Sequence, residues 1–414
     1  MDERRPKARK SLNLPDISFP FDGGTYSGES YDDVPHGFGN ITWENGNFFE
    51  GYFVDGKREG KGKFIWSDGD VYEGDWVNSK KHGKGKHTHS NGDVYEGAWN
   101  NNKRTGKGKY TFASGNVYEG DFVDDKRTGK GKFTWKDGEI YEGDFVDGKR
   151  TGKGKCTFAS GNIYEGDFVD GKKHGKGKFT WKSGDIYEGE YLNGKMHGKG
   201  KYTWSNGGYY EGEFSNGFFH GQGKRIYKNG DVYEGAWNND KRTGKGKCTW
   251  KNGKWSGDVY EGDWVDDKRT GKGKYIFANG DVYEGDFVDG KKHGIGKYIW
   301  KNGKWSGDVY EGDWVDDKRT GKGKYTFASG NIYEGDFVDG KKHGKGKFTF
   351  ASGDVYEGDY LNGEKHGKGK YTWSNGGYYE GEFSNGFFHG QGKRVYRNGT
   401  VEQGQFKNDK FIGK

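Results

Sequence analysis

Histidine and cysteine are the side chains of this 414-residue chain that could most readily act in catalysis or bind a metal ion. Nine of the eleven histidines occupy one position of a repeated sequence, where other copies carry Thr or Glu. His87 and His89 stand where other copies have aromatic rings, and Cys156 and Cys248 each replace a ring in separate copies. Because zinc needs clustered ligands, we predict structural roles for these residues, with no catalytic residue, cofactor or metal site.

Lysine is the other group that could do chemistry, since Gly-Lys-Gly-Lys strings recur along the chain. These strings lack the spacing of a phosphate-binding loop and the helix that should follow it. Lysines interleaved with aromatic residues could also bind single-stranded nucleic acid, which stacks its bases on exposed rings. However, 69 basic and 62 acidic groups alternate along the chain and leave a formal net charge of only +7. We therefore do not expect a nucleic-acid partner.

A 23-residue repeat must position all of these side chains. Alignment on Tyr-Glu-Gly gives sixteen full copies, and an incomplete copy follows from Glu402. The copies that begin at Tyr233 and Tyr283 are 27 residues long. The full copies begin at residues 26, 49, 72, 95, 118, 141, 164, 187, 210, 233, 260, 283, 310, 333, 356 and 379.

Each copy has the pattern of a β-hairpin. The copy from Tyr141 to Ile163 reads YEGDFVDGKRTGKGKCTFASGNI, and we number its residues as positions 1 to 23. Rings and glycine alternate with acidic residues at positions 1 to 5, and glycine and rings alternate with lysine at positions 14 to 18, which is the period of a half-buried strand. Asp147-Gly148-Lys149 and Ser160-Gly161-Asn162 suit hairpin connections of two to five residues. We predict an all-β, elongated antiparallel meander of tandem hairpins.

The alternation also assigns two faces to this sheet. The 15 Trp, 29 Tyr and 28 Phe residues would form an aromatic inner face, with the glycines at positions 3 and 14 leaving room for rings of adjacent strands. On the opposite face, Glu and Asp of the first strand should stand near Lys of the second strand and form cross-strand ion pairs.

The recurring strings have a recognisable likeness. Tyr-Glu-Gly-Asp-Phe/Trp, then Gly-Lys-Lys/Arg-His/Thr-Gly-x-Gly, then aromatic-x-aromatic and a glycine turn recur from Tyr26 to the end. This pattern resembles the MORN (membrane occupation and recognition nexus) repeat. The resemblance implies a hairpin array used for protein partners, self-association and sometimes acidic phospholipids, and it implies no catalytic activity. Some MORN arrays precede a catalytic domain, but no segment outside the repeats is long enough for one, so we expect a protein that is not an enzyme.

The repeats define four regions. Residues 1–25 form a basic leader that we expect to be disordered, residues 26–232 contain repeats 1 to 9, residues 233–401 contain repeats 10 to 16, and residues 402–414 form the truncated repeat. The boundary at residue 233 follows from a block duplication, and we expect no flexible linker there. No apolar run of 18 residues and no signal peptide occur in the sequence. We therefore expect a cytoplasmic protein.

A few repeats break the pattern, and these are the candidate contact sites. Positions 9 and 10, which we place in a connecting loop, are usually cationic but are Phe218-Phe219 and Phe387-Phe388 in two repeats. An inserted Lys-Trp-Ser-Gly adds Trp255 and Trp305 to the two longer repeats. These rings either cover the sheet locally or lie exposed, where they would contact a partner protein or enter a bilayer interface.

Two functions follow as hypotheses. The first is a non-catalytic scaffold or adaptor that binds proteins along the array, with self-association left open, near a membrane or the cytoskeleton. The second is a peripheral protein that binds acidic phospholipid, such as phosphoinositide, through the recurring cations and the phenylalanine pairs.

Overall fold

The computed structural model describes residues 16–414, and their regular structure is antiparallel β-strand apart from two 3-10 turns, Gly253–Trp255 and Gly303–Trp305. Among these residues no helix has the length and apolar character needed to cross a bilayer. The chain divides into two compact units, one up to Met196 and the other from His197 onward. The prediction of an all-β hairpin meander is confirmed within each unit.

The strands of the first unit are β1 (Asp16–Phe21), β2 (Gly24–Tyr31), β3 (Val34–Trp43), β4 (Phe48–Val54), β5 (Lys57–Ile65), β6 (Val71–Val77), β7 (Lys80–Thr88), β8 (Val94–Asn100), β9 (Lys103–Thr111), β10 (Val117–Val123), β11 (Lys126–Thr134), β12 (Ile140–Val146), β13 (Lys149–Thr157), β14 (Ile163–Val169), β15 (Lys172–Thr180) and β16 (Ile186–Leu192). The division of the chain falls within β17 (Lys195–Thr203).

The strands that follow in the second unit are β18 (Tyr209–Ser215), β19 (Phe218–Ile226), β20 (Val232–Asn238), β21 (Lys241–Thr249), β22 (Val259–Val265), β23 (Lys268–Ile276), β24 (Val282–Val288), β25 (Lys291–Ile299), β26 (Val309–Val315), β27 (Lys318–Thr326), β28 (Ile332–Val338), β29 (Lys341–Thr349), β30 (Val355–Leu361), β31 (Glu364–Thr372), β32 (Tyr378–Ser384), β33 (Phe387–Val395), β34 (Val401–Lys407) and β35 (Lys410–Gly413). The predicted boundary at residue 233 does not coincide with the division of the chain, because β19 and β20 pair across it without interruption.

Each full repeat contributes two strands joined by a two-residue turn, and a longer turn leads to the next repeat. β14 and β15 are joined by Asp170-Gly171, whose φ angles of 48° and 80° are both left-handed. Such a pair forms the tight turn that best matches the twist of antiparallel strands. Between β13 and β14, the Phe158 amide donates a 2.9 Å hydrogen bond to the carbonyl of Asn162. The predicted hairpin connections are confirmed.

The core of a repeat is built around the ring at position 1. Tyr164 is fully buried, and its ring contacts Phe168 of the same repeat and Tyr191 of the next one, both edge to face at 5.1 Å between centroids. Its hydroxyl donates a 3.0 Å hydrogen bond to the carbonyl of Asp167. Each such ring pair contributes about 0.5–1.5 kcal/mol beyond the burial of its area. The core of one repeat is thus completed by the next.

Two glycines bring the ring of Tyr164 against the sheet. Gly166 and Gly177 are paired across β14 and β15, at positions 3 and 14. A Cβ atom on Gly166 would lie 2.6 Å from the tyrosine hydroxyl oxygen, and one on Gly177 would overlap the tyrosine ring. A large ring can be buried on a single sheet because these positions carry no side chain. The predicted role of the glycines is confirmed.

The N-terminal strand corrects part of the expected leader. β1 pairs with β2, and the Phe19 ring lies 5.2 Å from that of Tyr26 in the first repeat. Residues 1–15, which carry the basic side chains of the leader, lie outside the described residues. The prediction of disorder up to residue 25 is therefore wrong for residues 16–25, because alternating apolar side chains in β1 can pair with the array without carrying its repeat signature.

We predict that Gly177→Ala destabilises its repeat by about 1–3 kcal/mol, since the added methyl group must displace the buried ring of Tyr164. The measurement is amide hydrogen exchange of β14 and β15, which reports local opening in an array whose unfolding need not be two-state.

Gly171→Ala is the matched control in the same repeat. Its Cβ atom would meet nothing within 4 Å, although φ is +80°. Only the left-handed backbone opposes this change, so we expect a loss of about 1 kcal/mol or less. Equal loss of protection in the two variants would contradict the proposed role of the glycine pair.

Candidate functional site

Paired charges cover the face opposite the buried rings, which we call the outer face. Lys153 at position 13 lies 2.7 Å from Asp167 of the next repeat, and Lys155 at position 15 lies 2.7 Å from Glu165. Equivalent ion pairs recur along both units. Each exposed pair adds at most about 1 kcal/mol, but together they engage most lysines of these two positions. The predicted cross-strand ion pairs are confirmed.

The cations at positions 9 and 10 are engaged as well. Lys149 lies 3.0 Å from Asp170 in the following turn. Arg150 lies over the ring of Tyr141 at 5.5 Å, and its guanidinium donates a 3.0 Å hydrogen bond to the carbonyl of Gly171. The expected loop at positions 9 and 10 is wrong, because the Asp-Gly pair alone closes the turn and both positions begin the second strand.

Lysine at position 10 shares the inner-face location of arginine. The Lys173 ammonium lies 4.5 Å from the ring centroid of Phe179 and 5.2 Å from that of Tyr191. Burial lowers the pKa of Lys173 from its ordinary value. A cation over an aromatic ring contributes about 0.5–2 kcal/mol, so this charge serves the packing of the array.

Apolar side chains remain exposed on the outer face beside the two-residue turns. Position 6 is Val or Leu in most repeats and lies opposite position 9, as Val146 lies opposite Lys149. Sequence reasoning missed this feature, although strand alternation from the buried position 5 indicates it. We call the exposed residues the outer apolar row: Tyr31, Val54, Val123, Val146, Val169 and Leu192 in the first unit, and Phe218, Val265, Val288, Val315, Val338, Leu361 and Phe387 in the second.

The two phenylalanines in the row replace its usual aliphatic member. Phe218 and Phe387 are each about half exposed. They lie at position 9, opposite Ser215 and Ser384 at position 6. In these two repeats the exposed apolar side chain therefore lies on the second strand of the hairpin and not on the first, but on the same face of the sheet. Their exposure agrees with the predicted contact role, which itself stays a prediction.

The second ring of each phenylalanine pair lies on the inner face. Phe219 and Phe388 are buried and stack on Tyr210 and Tyr379, with ring centroids 3.8 and 3.9 Å apart. They occupy position 10, where other repeats have a cation that lies over their own tyrosine at position 1. The prediction that Phe219 and Phe388 are partner or lipid contacts is wrong, because consecutive residues of a strand point to opposite faces.

The inserted tryptophans lie in lengthened turns, as predicted. Trp255 and Trp305 each end a 3-10 turn and are about half exposed. The Lys254 ammonium lies 4.9 Å from the ring centroid of Trp255. Trp305 borders a cavity of 410 Å³ that is also lined by Trp300 and Tyr325. Their role as contacts stays a prediction.

Ile295 is a candidate contact that sequence reasoning missed. It occupies position 13, where most repeats have lysine, and its side chain is 68% exposed opposite Asp313. It lines a trough of 1070 Å³ on the outer face of the second unit, together with glycine backbone such as Gly296 and charged side chains such as Glu284 and Lys274. The signal in the sequence was Gly-Ile-Gly in place of Gly-Lys-Gly.

The recurring histidines and both cysteines occupy structural positions. The histidine at position 11 lies in the second strand opposite the acid at position 4, as His174 lies opposite Asp167 beside a β-bulge. Position 11 therefore lies in a strand and not in a turn. Cys156 and Cys248 are buried among the rings, which confirms their predicted place in the core.

His87 and His89 form a cluster with Asp70 that sequence reasoning missed. Their ligand atoms all lie within 4.8 Å of one another. Burial and the nearby ammonium of Lys81 lower the pKa of His87 to about 4. Among the described residues this is the one group of at least three potential metal ligands. The sequence signal for this cluster was the His-x-His string at the end of β7, together with an acid, Asp70, directly before β6.

We predict that Cys156 resists alkylation in the folded protein. Burial and the Glu139 carboxylate raise its thiol pKa from 9.0 to about 12, so at pH 8 only about one thiol in 10⁴ is the reactive thiolate. Labelling by iodoacetamide should be at least about 1000-fold slower than in guanidinium-unfolded protein, and should rise about tenfold per pH unit from pH 8 to 10.

Peptide mass spectrometry measures both rates. Cys248 is an internal reference, because burial raises the pKa of its thiol to about 11. Folded protein that reacts as fast as the unfolded protein would contradict the core location of these thiols.

Comparison with solved structures gives matches of low overall similarity. The TCP10 domain of Danio rerio CPAP aligns at 12% identity with a TM-score of 0.29, over 48% of this chain and 93% of that chain. The same domain in complex with a peptide of Danio rerio STIL gives 15% identity and a TM-score of 0.25, over 60% and 93%. Virginiamycin B lyase from Staphylococcus aureus gives 13% identity and a TM-score of 0.12, over 65% and 92%. These scores support no argument about function.

A search of curated proteins gave no match. The family model described as MORN repeat matches residues 26–48, 49–71, 72–94, 95–117, 118–140, 141–163, 164–186, 187–209, 210–232, 233–255, 260–282, 283–305, 310–332, 333–355, 356–378 and 379–401. Because these matches cover most of the sequence and agree with the hairpin boundaries of the structure, this chain belongs to the MORN repeat family.

Proposed function

We propose that this chain is a non-catalytic scaffold that binds partner proteins along its outer face. One observation carries the proposal: many of the recurring cations of the outer face are ion-paired with neighbouring carboxylates, while the outer apolar row and Ile295 remain exposed on the same face.

The outer apolar row has the features of a protein-binding surface. Protein interfaces bury a small number of apolar anchors within a polar rim. Phe387 and Ile295 supply such anchors. The ion pairs of Lys272 with Asp286 and of Lys297 with Glu311 flank Ile295. Neighbouring repeats are two strand spacings apart, or roughly 10 Å. Within each unit, consecutive repeats that carry a member of the row therefore present apolar groups about 10 Å apart to an extended partner or to a second copy of the chain.

Acidic phospholipid is the alternative function. An anionic membrane surface attracts free lysine and arginine, at about 1 kcal/mol for each charge near the surface. The ion pairs at positions 9, 13 and 15 and the ring contacts at position 10 engage many of these charges. Trp255 and Trp305 beside Lys254 and Lys304 are the features that favour this alternative.

The proposed location is the cytoplasm, at a membrane or cytoskeletal structure that the chain reaches through its partners. Free cysteines support a reducing compartment. In this proposal the scaffold holds its partners side by side, because each repeat offers a similar surface at a fixed distance from the next.

We predict that Ile295→Lys and Phe387→Lys each reduce partner recovery about tenfold, because loss of a buried anchor costs about 1–2 kcal/mol or more. Each variant installs the residue that most repeats carry at that position, so the fold should be unchanged. Partner recovery is measured by affinity capture of the full chain from cell extract with quantitative mass spectrometry. Vesicle sedimentation measures lipid binding by the same variants, and light scattering measures their self-association.

Lys345→Gln is the matched control. It removes an exposed ion pair with Asp359 at position 13 without changing an apolar side chain, and it should leave recovery unchanged. A change of mass in light scattering that both lysine variants abolish would identify a second copy as the partner. Binding to phosphoinositide vesicles but not to phosphatidylcholine vesicles, with equal protein recovery for every variant, would replace the scaffold proposal with the lipid alternative.

A further inference from the structure

The hairpin topology brings three potential metal ligands together where the second repeat meets the third. Asp70 immediately precedes β6, His87 lies near the end of β7, and His89 directly follows β7. β6 and β7 are antiparallel, with Val71 opposite Thr88. The start of one strand therefore lies beside the end of the other, and the side chain of Asp70 meets those of the two histidines.

The distances within the cluster suit a divalent metal ion. Oδ2 of Asp70 lies 3.2 Å from Nε2 of His87 and 3.0 Å from Nδ1 of His89. Nitrogen and oxygen ligands at about 2.0–2.1 Å from a tetrahedral zinc ion are roughly 3.3 Å apart. Two imidazoles and one carboxylate can hold zinc and leave the fourth position for water.

His87 provides a second, independent observation. Its side chain is 9% exposed, and its Nε2 atom has no hydrogen-bond partner despite the nearby carboxylate oxygen. Leaving a buried polar atom unsatisfied costs about 1–3 kcal/mol, and most such atoms are paired in folded proteins. A metal ion bound between the imidazoles and Asp70 would satisfy this nitrogen.

Other repeats show the usual arrangement, which the two histidines replace in this site. An acid before the first strand accepts a hydrogen bond from the tyrosine at position 16 of the next repeat, as Asp93 does from Tyr110 at 2.9 Å and Asp281 does from Tyr298 at 3.0 Å. The carboxylate of Asp70 is therefore a regular feature of the fold. Only the two imidazoles distinguish this site from its counterparts.

The surroundings hold the carboxylate in place and leave an entry path. The Ser90 amide donates a 2.8 Å hydrogen bond to Oδ1 of Asp70 and leaves Oδ2 facing the imidazoles. Such support of a ligand is usual at metal sites. Asp70 and His89 are partly exposed. The adjacent cation, Lys81, lies over the ring of Trp99, with its ammonium 4.4 Å from the ring centroid.

We propose that Asp70, His87 and His89 form a binding site for one divalent ion of the zinc type. The site is separate from the outer apolar row, and its existence does not depend on the scaffold proposal. Its ligand set of two nitrogens and one oxygen favours zinc over magnesium or calcium, which prefer oxygen ligands.

The test is calorimetric titration of the metal-free full chain with Zn²⁺. We expect one ion per chain, and a loss of affinity of at least tenfold in both His87→Tyr and His89→Phe. These substitutions restore the residues that the next repeat carries, Tyr110 and Phe112, so the metal-free variants should be at least as stable to heat as the metal-free parent. Added Zn²⁺ should raise the unfolding temperature of the parent only.

His82→Thr is the matched control, since it removes a histidine of the same repeat that lies outside the cluster and installs the residue of other repeats. It should bind Zn²⁺ as the parent does. Co²⁺ should give the intense visible absorption of a four-coordinate site in the parent and in His82→Thr only. Absence of one-to-one binding, or equal affinity in the parent, His87→Tyr and His89→Phe, would overturn the proposal.

Discussion

In repeat after repeat, the tyrosine ring at position 1 lies on two paired glycines. Its hydroxyl donates a hydrogen bond to the backbone carbonyl of position 4 in the same repeat. A single sheet ordinarily leaves both faces open to water. The missing side chains at positions 3 and 14 allow the ring to lie against the backbone, and the ring at position 5 of the next repeat covers it. The core therefore forms between neighbours, as expected for repeat proteins whose stability sums over interfaces.

This packing explains how the chain can be strongly charged and still folded. The inner face is closed by rings and by the cations that lie over them, as Arg150 does. The outer face then needs no apolar cover, and ion pairs between neighbouring repeats recur along it. Exposed apolar groups on that face contribute little to folding, which leaves them available to recognise another molecule.

Specific chemistry arises where one side chain changes and the backbone does not. Ile295 replaces a lysine, Phe218 replaces another, and His87 replaces a tyrosine, while strand pairing at each site follows the pattern of the other repeats. Most repeats supply the sheet that holds these exceptional side chains in place. Because each interface contacts only its neighbours, an altered repeat can acquire a new surface or site without disturbing the rest of the unit.

The sequence by itself determined the repeat boundaries, the hairpin connections, the aromatic inner face and the core location of Cys156. These features follow from short-range periodicity that sixteen copies repeat, and periodicity of two fixes which residues share a face. The family resemblance rests on the same information.

Tertiary structure decided which departures from the pattern are exposed. A β-bulge after position 3 shifts the register, so that position 10 faces the ring at position 5, as Arg150 faces Phe145. Position 10 has the same parity as the inner-face positions 14, 16 and 18, so alternation places Phe219 inside and Phe218 in the outer apolar row once the strand is known to begin at position 9. The sequence left open where the loop ends, because the bulge brings positions 9 and 10 into pairing directly after a two-residue turn.

The same limit applies to β1 and to the cluster around Asp70. β1 lacks the repeat signature, and its place is set by pairing with β2. Asp70 and His89 are 19 residues apart and meet only because β6 and β7 are antiparallel. Sequence periodicity describes each strand, whereas contacts between the ends of different strands depend on register, which only the folded sheet fixes.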